Sequence, residues 1–451
     1  MKSHFLVRWI NKGRLVTTVM ALILVACGAN NPSDGSASII DGSGSPVPDI
    51  AVAGPIVGFG SVIVEGVHYQ TDKASIYIDG QPASEEDLNL GDFITIQATY
   101  DPATNTYGAK VIVAETSVQG TVTAVDNELS EILVLGQRVK IEGNTVFDEQ
   151  FNLRGIEAIR VGESIKVSGG SDGAGRIYAT RISTPQSMQT SFAGYMAQLD
   201  EIMMTFVLNG IVVDFSSADY MGHLHAKDWV TVTGAFNENG DRFIAKNIRA
   251  QPMPIQNGKG AQSRTEGLVE EIFAEGFGLQ GSRVLYSEAT RFEGGTVKDI
   301  LAGTKVAVEG TLNSDLQIVA KKIRLLNVKL AELYGAVEQV TLAAGDKPHA
   351  TETGTLVVQG RTVAVDGRTI ISALDGLAGK RARLSDVRVG DNVYISLMPA
   401  NPSGIYPARL IELGWRKDFM GKEDGKPPMD DNPGPIEHHE NPPAPPPPKN
   451  K

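Results

Sequence analysis

Cysteine is almost absent from this chain: one residue in 451, Cys27. A single cysteine excludes an intrachain disulfide framework, a cysteine-built zinc cluster and a CxxC redox pair. Positive charge is also scarce, with 41 Lys and Arg against 53 Asp and Glu and a net charge of −12. That balance is a poor electrostatic match for nucleic acid. The stretch Leu15 to Ala26 is mostly apolar but only twelve residues long, too short to span a bilayer. What the sequence does have is glycine, 49 residues, or about 11 per cent against a usual ~7 per cent. A hydrophobic share of 41 per cent is too high for a disordered chain. Length alone suggests about three domains.

The N-terminus has a basic head (Lys2, Arg8, Lys12, Arg14), the apolar stretch 15–26, and then Leu24-Val25-Ala26-Cys27-Gly28. Basic, apolar and small residues in that order read as a signal peptide, 1–26. The last four of these residues before Gly28 resemble the lipobox of bacterial lipoproteins. The resemblance implies cleavage before Cys27 and transfer of diacylglycerol to its thiol. Several acyl chains at ~0.8 kcal/mol per buried CH₂ make such anchoring nearly permanent. Gly28, rather than aspartate, follows the cysteine. By similarity to lipoprotein sorting this implies the outer membrane of a bacterial cell envelope, facing either the periplasm or the cell surface. Losing 1–26 takes the net charge from −12 to −16.

Residues 27–54, rich in Gly, Ser, Asp, Asn and Pro, read as a lipid-anchored flexible linker spanning about 30 Å. Residues 416–451 hold ten of the 23 prolines and read as a disordered tail with a polyproline II end.

Between these tethers the sequence repeats five times. One element is a glycine-acid step followed by alternating apolar residues: Gly91-Asp92, Gly162-Glu163, Lys227-Asp228, Gly303-Thr304 and Gly390-Asp391. Copy three replaces the glycine and copy four the acid. The Ile or Val pair that follows shares one face of a strand. A second element is alanine with isoleucine three residues on: Ala109 and Ile112, Ala179 and Ile182, Ala245 and Ile248, Ala320 and Ile323, Ala408 and Ile411. Polar turns between the two elements predict hairpins. Gly60, Gly120, Gly194, Gly267 and Gly335 open the repeats, and Gly66, Gly136, Gly210, Gly281 and Gly360 mark the second strands. Strands containing Ile76, Phe147, Tyr220, Phe292 and Ile370 are expected third, then a brief helix such as Ser84–Leu88 with its capping serine.

The expected modules are therefore 55–115, 116–186, 187–254, 255–328 and 329–415. Each reads strand, strand, strand, short helix, strand, strand. The predicted fold class is all-β: tandem small five-stranded OB-like barrels, with open five-stranded β-sandwich modules as the alternative. The Gly-acid step and the Ala-x-x-Ile ending also resemble the uncharacterised envelope family "domain of unknown function 5666", found in lipoproteins in tandem copies. Copies one and two carry the resemblance most fully. It implies a fold and a location, and no activity.

Several motifs are set aside. Gly276 to Gly281 satisfies GxGxxG but falls across a strand-to-strand turn, not in a βαβ unit. Gly169 to Gly173 satisfies GxSxG, but the glycines and aspartate suit the turn expected there. His223 and His225 sit two apart with Asp219 and Asp228 nearby, yet as loop histidines they need no metal. His438-His439 lies in the tail. The recurring acids Asp92, Glu163, Asp228 and Asp391 suit bonding of backbone amides at a strand start. With Gly91, Gly162, Gly303 and Gly390 they are the structural repeat positions, and Cys27 is the lipidation site. No catalytic residue, metal ligand or cofactor is expected. The functional expectation is a lipid-anchored binding or scaffold protein with no catalysis, whose partner is an envelope protein or a glycan. Tyr77, Tyr178, Tyr195 and Tyr394 are the candidate sugar-contacting aromatics. The alternatives are an envelope hydrolase or metal-dependent enzyme with its site in divergent repeat three, and a passive spacer or coat protein.

Overall fold

The computed structural model describes residues 49–148, 151, 155–172, 174–251, 259–326, 330–343, 352–373 and 382–414. Cys27, the signal peptide, most of the 27–54 segment and the 416–451 tail lie outside the described residues.

The first module contains β1 (Asp49–Gly58), β2 (Val62–Val64), β3 (Val67–Gln70), β4 (Ser75–Ile78), β5 (Gln81–Ala83), β6 (Phe93–Asp101) and β7 (Thr106–Ala114). The second has β8 (Val118–Asp126), β9 (Glu131–Val134), β10 (Gln137–Lys140), β11 (Val146–Phe147), β12 (Ser164–Ser171) and β13 (Arg176–Ser183). The third has β14 (Thr190–Asp200), β15 (Thr205–Leu208), β16 (Ile211–Asp214), β17 (Asp219–Tyr220), β18 (Trp229–Phe236) and β19 (Phe243–Gln251). The fourth has β20 (Gln262–Phe273), β21 (Gly276–Leu279), β22 (Ser282–Leu285), β23 (Arg291–Glu293), β24 (Lys305–Leu312) and β25 (Ile318–Leu325). The fifth has β26 (Ala331–Leu342), β27 (Gly354–Val358), β28 (Arg361–Val365), β29 (Ile370–Ala373), β30 (Asn392–Leu397) and β31 (Tyr406–Leu413).

Pairing closes each module on itself. In the second, β8 pairs β9, β9 pairs β10, β10 runs parallel to β13, β13 pairs β12, and β12 returns to β8. The other four follow the same circuit. With the third and last strands parallel and the fourth paired to the first, these are OB-like barrels, not open sandwiches. A single 3-10 turn precedes the fourth barrel strand in modules one, two, four and five.

Two local devices build every copy. The first is a two-residue hairpin between the second and third strands. Its residues all have positive φ: Glu65-Gly66, Leu135-Gly136, Asn209-Gly210, Gln280-Gly281 and Gln359-Gly360. This is the type I′ geometry that suits the twist of paired strands. The repeated glycine therefore sits in the turn and not in the second strand. The second device is a bulge between the last two strands. Ser168 faces Arg181 but Gly169 faces Ala179, so Thr180 is the extra residue. The same shift leaves Lys110, Lys246, Lys321 and Arg409 unpaired in the other copies. A regular strand turns residues three apart to opposite faces. The extra residue corrects the phase, so the Ala and the Ile of every Ala-x-x-Ile ending are both buried. Ala179, Ala320 and Ala408 have their carbonyls bonded by the hydroxyls of Thr145, Thr290 and Thr369, at 2.8, 2.9 and 3.0 Å.

The structure corrects several expectations. β1 begins at Asp49, so residues 49–54 pair in the first barrel rather than belonging to a linker. By register the first-strand glycine of module one is Gly54, opposite Ile94, as Gly120 is opposite Ile165. Gly60 instead occupies a turn at φ 116°. Ile76, Phe147, Tyr220, Phe292 and Ile370 lie on a fourth short segment that extends the third along the last strand. Gly169 to Ser171 belong to β12, where Gly169 makes the bulge. A Cβ there would overlap the Tyr178 carbonyl oxygen.

The barrels also share sheets. β1 pairs in parallel with β20, from Ile50 opposite Gln262 to Ala53 opposite Thr265. β8 and β14 pair through Gln119 opposite Ser191 and Val118 opposite Phe192. Barrels two and three pool their buried side chains in one core. Ile370, Tyr394 and Leu410 of barrel five join the core of barrel one.

Candidate functional site

The repeated step before the fourth barrel strand is a backbone latch. The side chain at its second position accepts the N–H three residues earlier in all five modules. The bonds are Asn89 to Asp92 (2.8 Å), Arg160 to Glu163 (3.0 Å), His225 to Asp228 (2.8 Å), Leu301 to Thr304 (3.0 Å) and Arg388 to Asp391 (2.8 Å). The residue before it has positive φ: Gly91, Gly162, Lys227, Gly303 and Gly390. Its N–H donates to the first strand at Ile56, Val122, Met196, Val269 and Val337, at 2.7 to 2.9 Å. Threonine does in copy four what a carboxylate does elsewhere, so acceptor geometry is what recurs. Burial pushes the Asp92 carboxyl up against the opposing pull of Arg181.

Four barrels meet at a buried ionic junction. Lys305 of barrel four reaches Glu142 of barrel two at 3.0 Å and Glu266 at 3.4 Å. Its ammonium lies 4.2 Å from the ring centre of Tyr178. Burial pulls the Lys305 pKa down, but the two carboxylates outweigh it and hold it above the ordinary value. Beside it Arg324 pairs with Glu65 of barrel one, and Arg368 of barrel five lies 4.0 Å from the same carboxylate. Burial, then Arg368 and Arg409, lower Arg324 to about 10. Burial likewise lowers Arg409, against the pull of Asp366. A cavity of about 60 Å³ remains among Glu65, Glu142, Arg324, Arg368 and Arg409. Buried pairs of this kind add little net stability over an apolar packing but punish the loss of one partner.

Among the described residues, larger openings lie between barrels. A polar groove of about 700 Å³ separates barrels one and two, where Asp79 binds Lys166 at 2.8 Å and accepts the Thr116 N–H. A charged groove of about 850 Å³ runs along Glu131, Arg138, Lys140, Arg176 and Glu332. A cleft of about 370 Å³ lies between barrels one and five. Its walls mix polar and apolar surface, with Phe59, Ile63, Ile371 and Leu384 buried at its base. Its titratable groups are His68, Glu352, Asp366 and Arg383.

The remaining candidates are placed as follows. His225 is exposed and its Nδ1 lies 3.4 Å from Asp228. His223 and Asp219 are also exposed. Among the described residues no group of three or more His, Cys, Asp or Glu is placed to hold a metal ion. Gly276 to Leu279 form β21, and Gln280-Gly281 is its hairpin turn, followed by β22 and not by a helix. Tyr178 and Tyr394 are buried and so are not surface aromatics. Tyr195 packs its ring on Gly281 and 4.7 Å from the Trp229 ring. Tyr77 is 37 per cent exposed. Sequence reasoning missed the junction, because its members come from four modules and share no motif. The inter-barrel cleft left no sequence signal either.

A family model described as a domain of unknown function (DUF5666) matches residues 51–113, 119–183, 266–324 and 335–412, together more than half the chain. These regions are barrels one, two, four and five. No curated protein matches the chain. A solved chain described as Drosophila Unr CSD456 is similar at 15% identity, over 50% of this chain and 97% of that one, with a TM-score of 0.13.

Proposed function

This chain belongs to the DUF5666 family, and from that premise we propose that it is a lipid-anchored lipoprotein of the bacterial cell envelope that acts without catalysis as a multivalent binding or scaffold protein. The observation that carries the reading is the ionic junction. Glu65, Glu142, Lys305 and Arg368 come from four different barrels and meet in one partly buried cluster around the buried Lys305 and Arg324. A chain that ties its modules together in this way holds the grooves between them in fixed relation. Several weak contacts along fixed surfaces gain avidity through effective concentration. The apolar run ending in Ala26-Cys27-Gly28 supports the lipid anchor and the outer-membrane location. The net charge of −12 favours an envelope protein or glycan over nucleic acid.

The test uses the full chain expressed in a Gram-negative host. Cys27→Ser abolishes acyl labelling and releases the protein from membranes, and the intact protein retains a partner from envelope extracts that survives His223→Ala. A Cys27→Ser protein that stays membrane-bound contradicts the anchor. Loss of a measurable turnover in His223→Ala contradicts the non-catalytic reading.

A further inference from the structure

We propose that the cleft between barrels one and five is a binding site for a small amphiphilic anion, an apolar body carrying one carboxylate, sulfonate or phosphate group. The inference goes beyond the scaffold reading and does not depend on it. The cleft has the size of a ligand pocket, about 370 Å³, within the usual range of about 300–1,000 Å³, and its lining is shared between apolar and polar surface. Its apolar base comes from both barrels. Phe59 and Ile63 belong to barrel one, and Ile371 and Leu384 to barrel five.

The polar groups decide the charge of the ligand. Both carboxylates are already engaged. Glu352 accepts the Ser385 N–H at 2.7 Å and the Ser385 hydroxyl at 2.9 Å. Asp366 accepts the Arg368 N–H at 2.9 Å. Arg383 is different. It is exposed at the rim, and among the described residues no carboxylate pairs with its guanidinium. The guanidinium instead lies over Gly60: a Cβ on that residue would be 3.0 Å from the Arg383 Nη2. Gly60, at φ 116°, thus leaves room for a cation at the mouth of an apolar cleft. A guanidinium with no carboxylate partner among the described residues presents a fork of donors that an anionic head can bridge. Each carboxylate of the cleft already has its own donors, so the Arg383 guanidinium at the rim is the charged group left to meet a ligand, and beside an apolar base it selects one that pairs an anionic head with an apolar body.

The probe is 8-anilinonaphthalene-1-sulfonate, titrated against the folded full-length protein by fluorescence, with the neutral N-phenyl-1-naphthylamine beside it. The sulfonate binds at one saturable site. Arg383→Gln weakens it about tenfold, the loss expected for one charge-assisted contact, and leaves the neutral probe unchanged. Thr353→Trp, at the exposed rim, blocks both probes. Arg291→Gln, an exposed arginine of barrel four, changes neither. Circular dichroism checks that each variant folds. Absence of saturable sulfonate binding overturns the proposal, as does sulfonate binding that ignores both Arg383→Gln and Thr353→Trp. Equal weakening of the two probes by Arg383→Gln overturns the anion selectivity.

Discussion

Glu270 offers a quantitative test of how the barrels are packed. It lies on β20 and its Oε1 accepts the Gly281 N–H at 2.8 Å. Asp172 of barrel two and Glu271 add negative charge, and Tyr195 of barrel three covers Gly281. Burial is the main cause, and the neighbouring carboxylates a lesser one, that push the Glu270 pKa from 4.5 up to about 7. The folded state thus disfavours the ionised form. Its contribution to stability is complete below about pH 4.5 and is lost as pH rises through about 7. At about 1.4 kcal/mol per pK unit the loss is roughly 3 kcal/mol. Glu270→Gln keeps the acceptor for Gly281 and cannot ionise. Urea denaturation is followed by tryptophan fluorescence, since Trp229 packs edge-to-face with Tyr195 within this contact. At pH 4 the variant matches the wild type within about 0.5 kcal/mol, and at pH 8 it is more stable by roughly 2–3 kcal/mol. A variant that differs from wild type by the same amount at both pH values refutes the reasoning.

Other substitutions probe the remaining devices. Lys305→Ala strands Glu142 and Glu266 and lowers stability by about 3–5 kcal/mol, read by urea denaturation. Joint replacement Lys305→Met, Glu142→Gln and Glu266→Gln recovers most of that loss. Gly234→Ala drives a methyl into the Ile244 carbonyl at the bulge of barrel three, and lowers stability by about 1–3 kcal/mol. Gly108→Ala, whose new Cβ would be 3.7 Å from the nearest atom, is the matched control and stays within about 0.5 kcal/mol. Asp391→Ala removes the acceptor for Arg388 and costs about 1 kcal/mol, while Asp391→Thr, copying Thr304, restores most of it.

Much of the barrel was legible because it is local. The glycine-acid step, the polar turns and the Ala-x-x-Ile ending each lie within a few residues, and five copies make them stand out. What was misread depended on pairing. A three-residue spacing between buried Ala and Ile contradicts strand periodicity until the bulge at Lys110, Thr180, Lys246, Lys321 and Arg409 is known. Gly60 resembled the first-strand glycine in spacing from Val62, but register gives that place to Gly54. Thr145, Thr290 and Thr369 carry no motif, since modules one and three lack them. The parallel pairing of β1 with β20 joins residues about 200 apart in the chain, beyond what local propensity reports. The ionic junction follows from that long-range assembly. The cleft follows from it too, and an isolated Arg383 in the sequence looks like any surface arginine.

The most direct test of the central claim is photo-cross-linking in intact cells. A photoreactive residue placed at Tyr77, Arg138 or Thr353 samples the surfaces around barrel one, the charged groove and the cleft. A lipid-anchored multivalent scaffold yields the same defined envelope partner, protein or glycan, from at least two of these positions, and loses it when Cys27→Ser takes the chain off the membrane. Recovery of no defined partner from any position, or the same partner at the same yield with Cys27→Ser, contradicts a lipid-anchored multivalent scaffold.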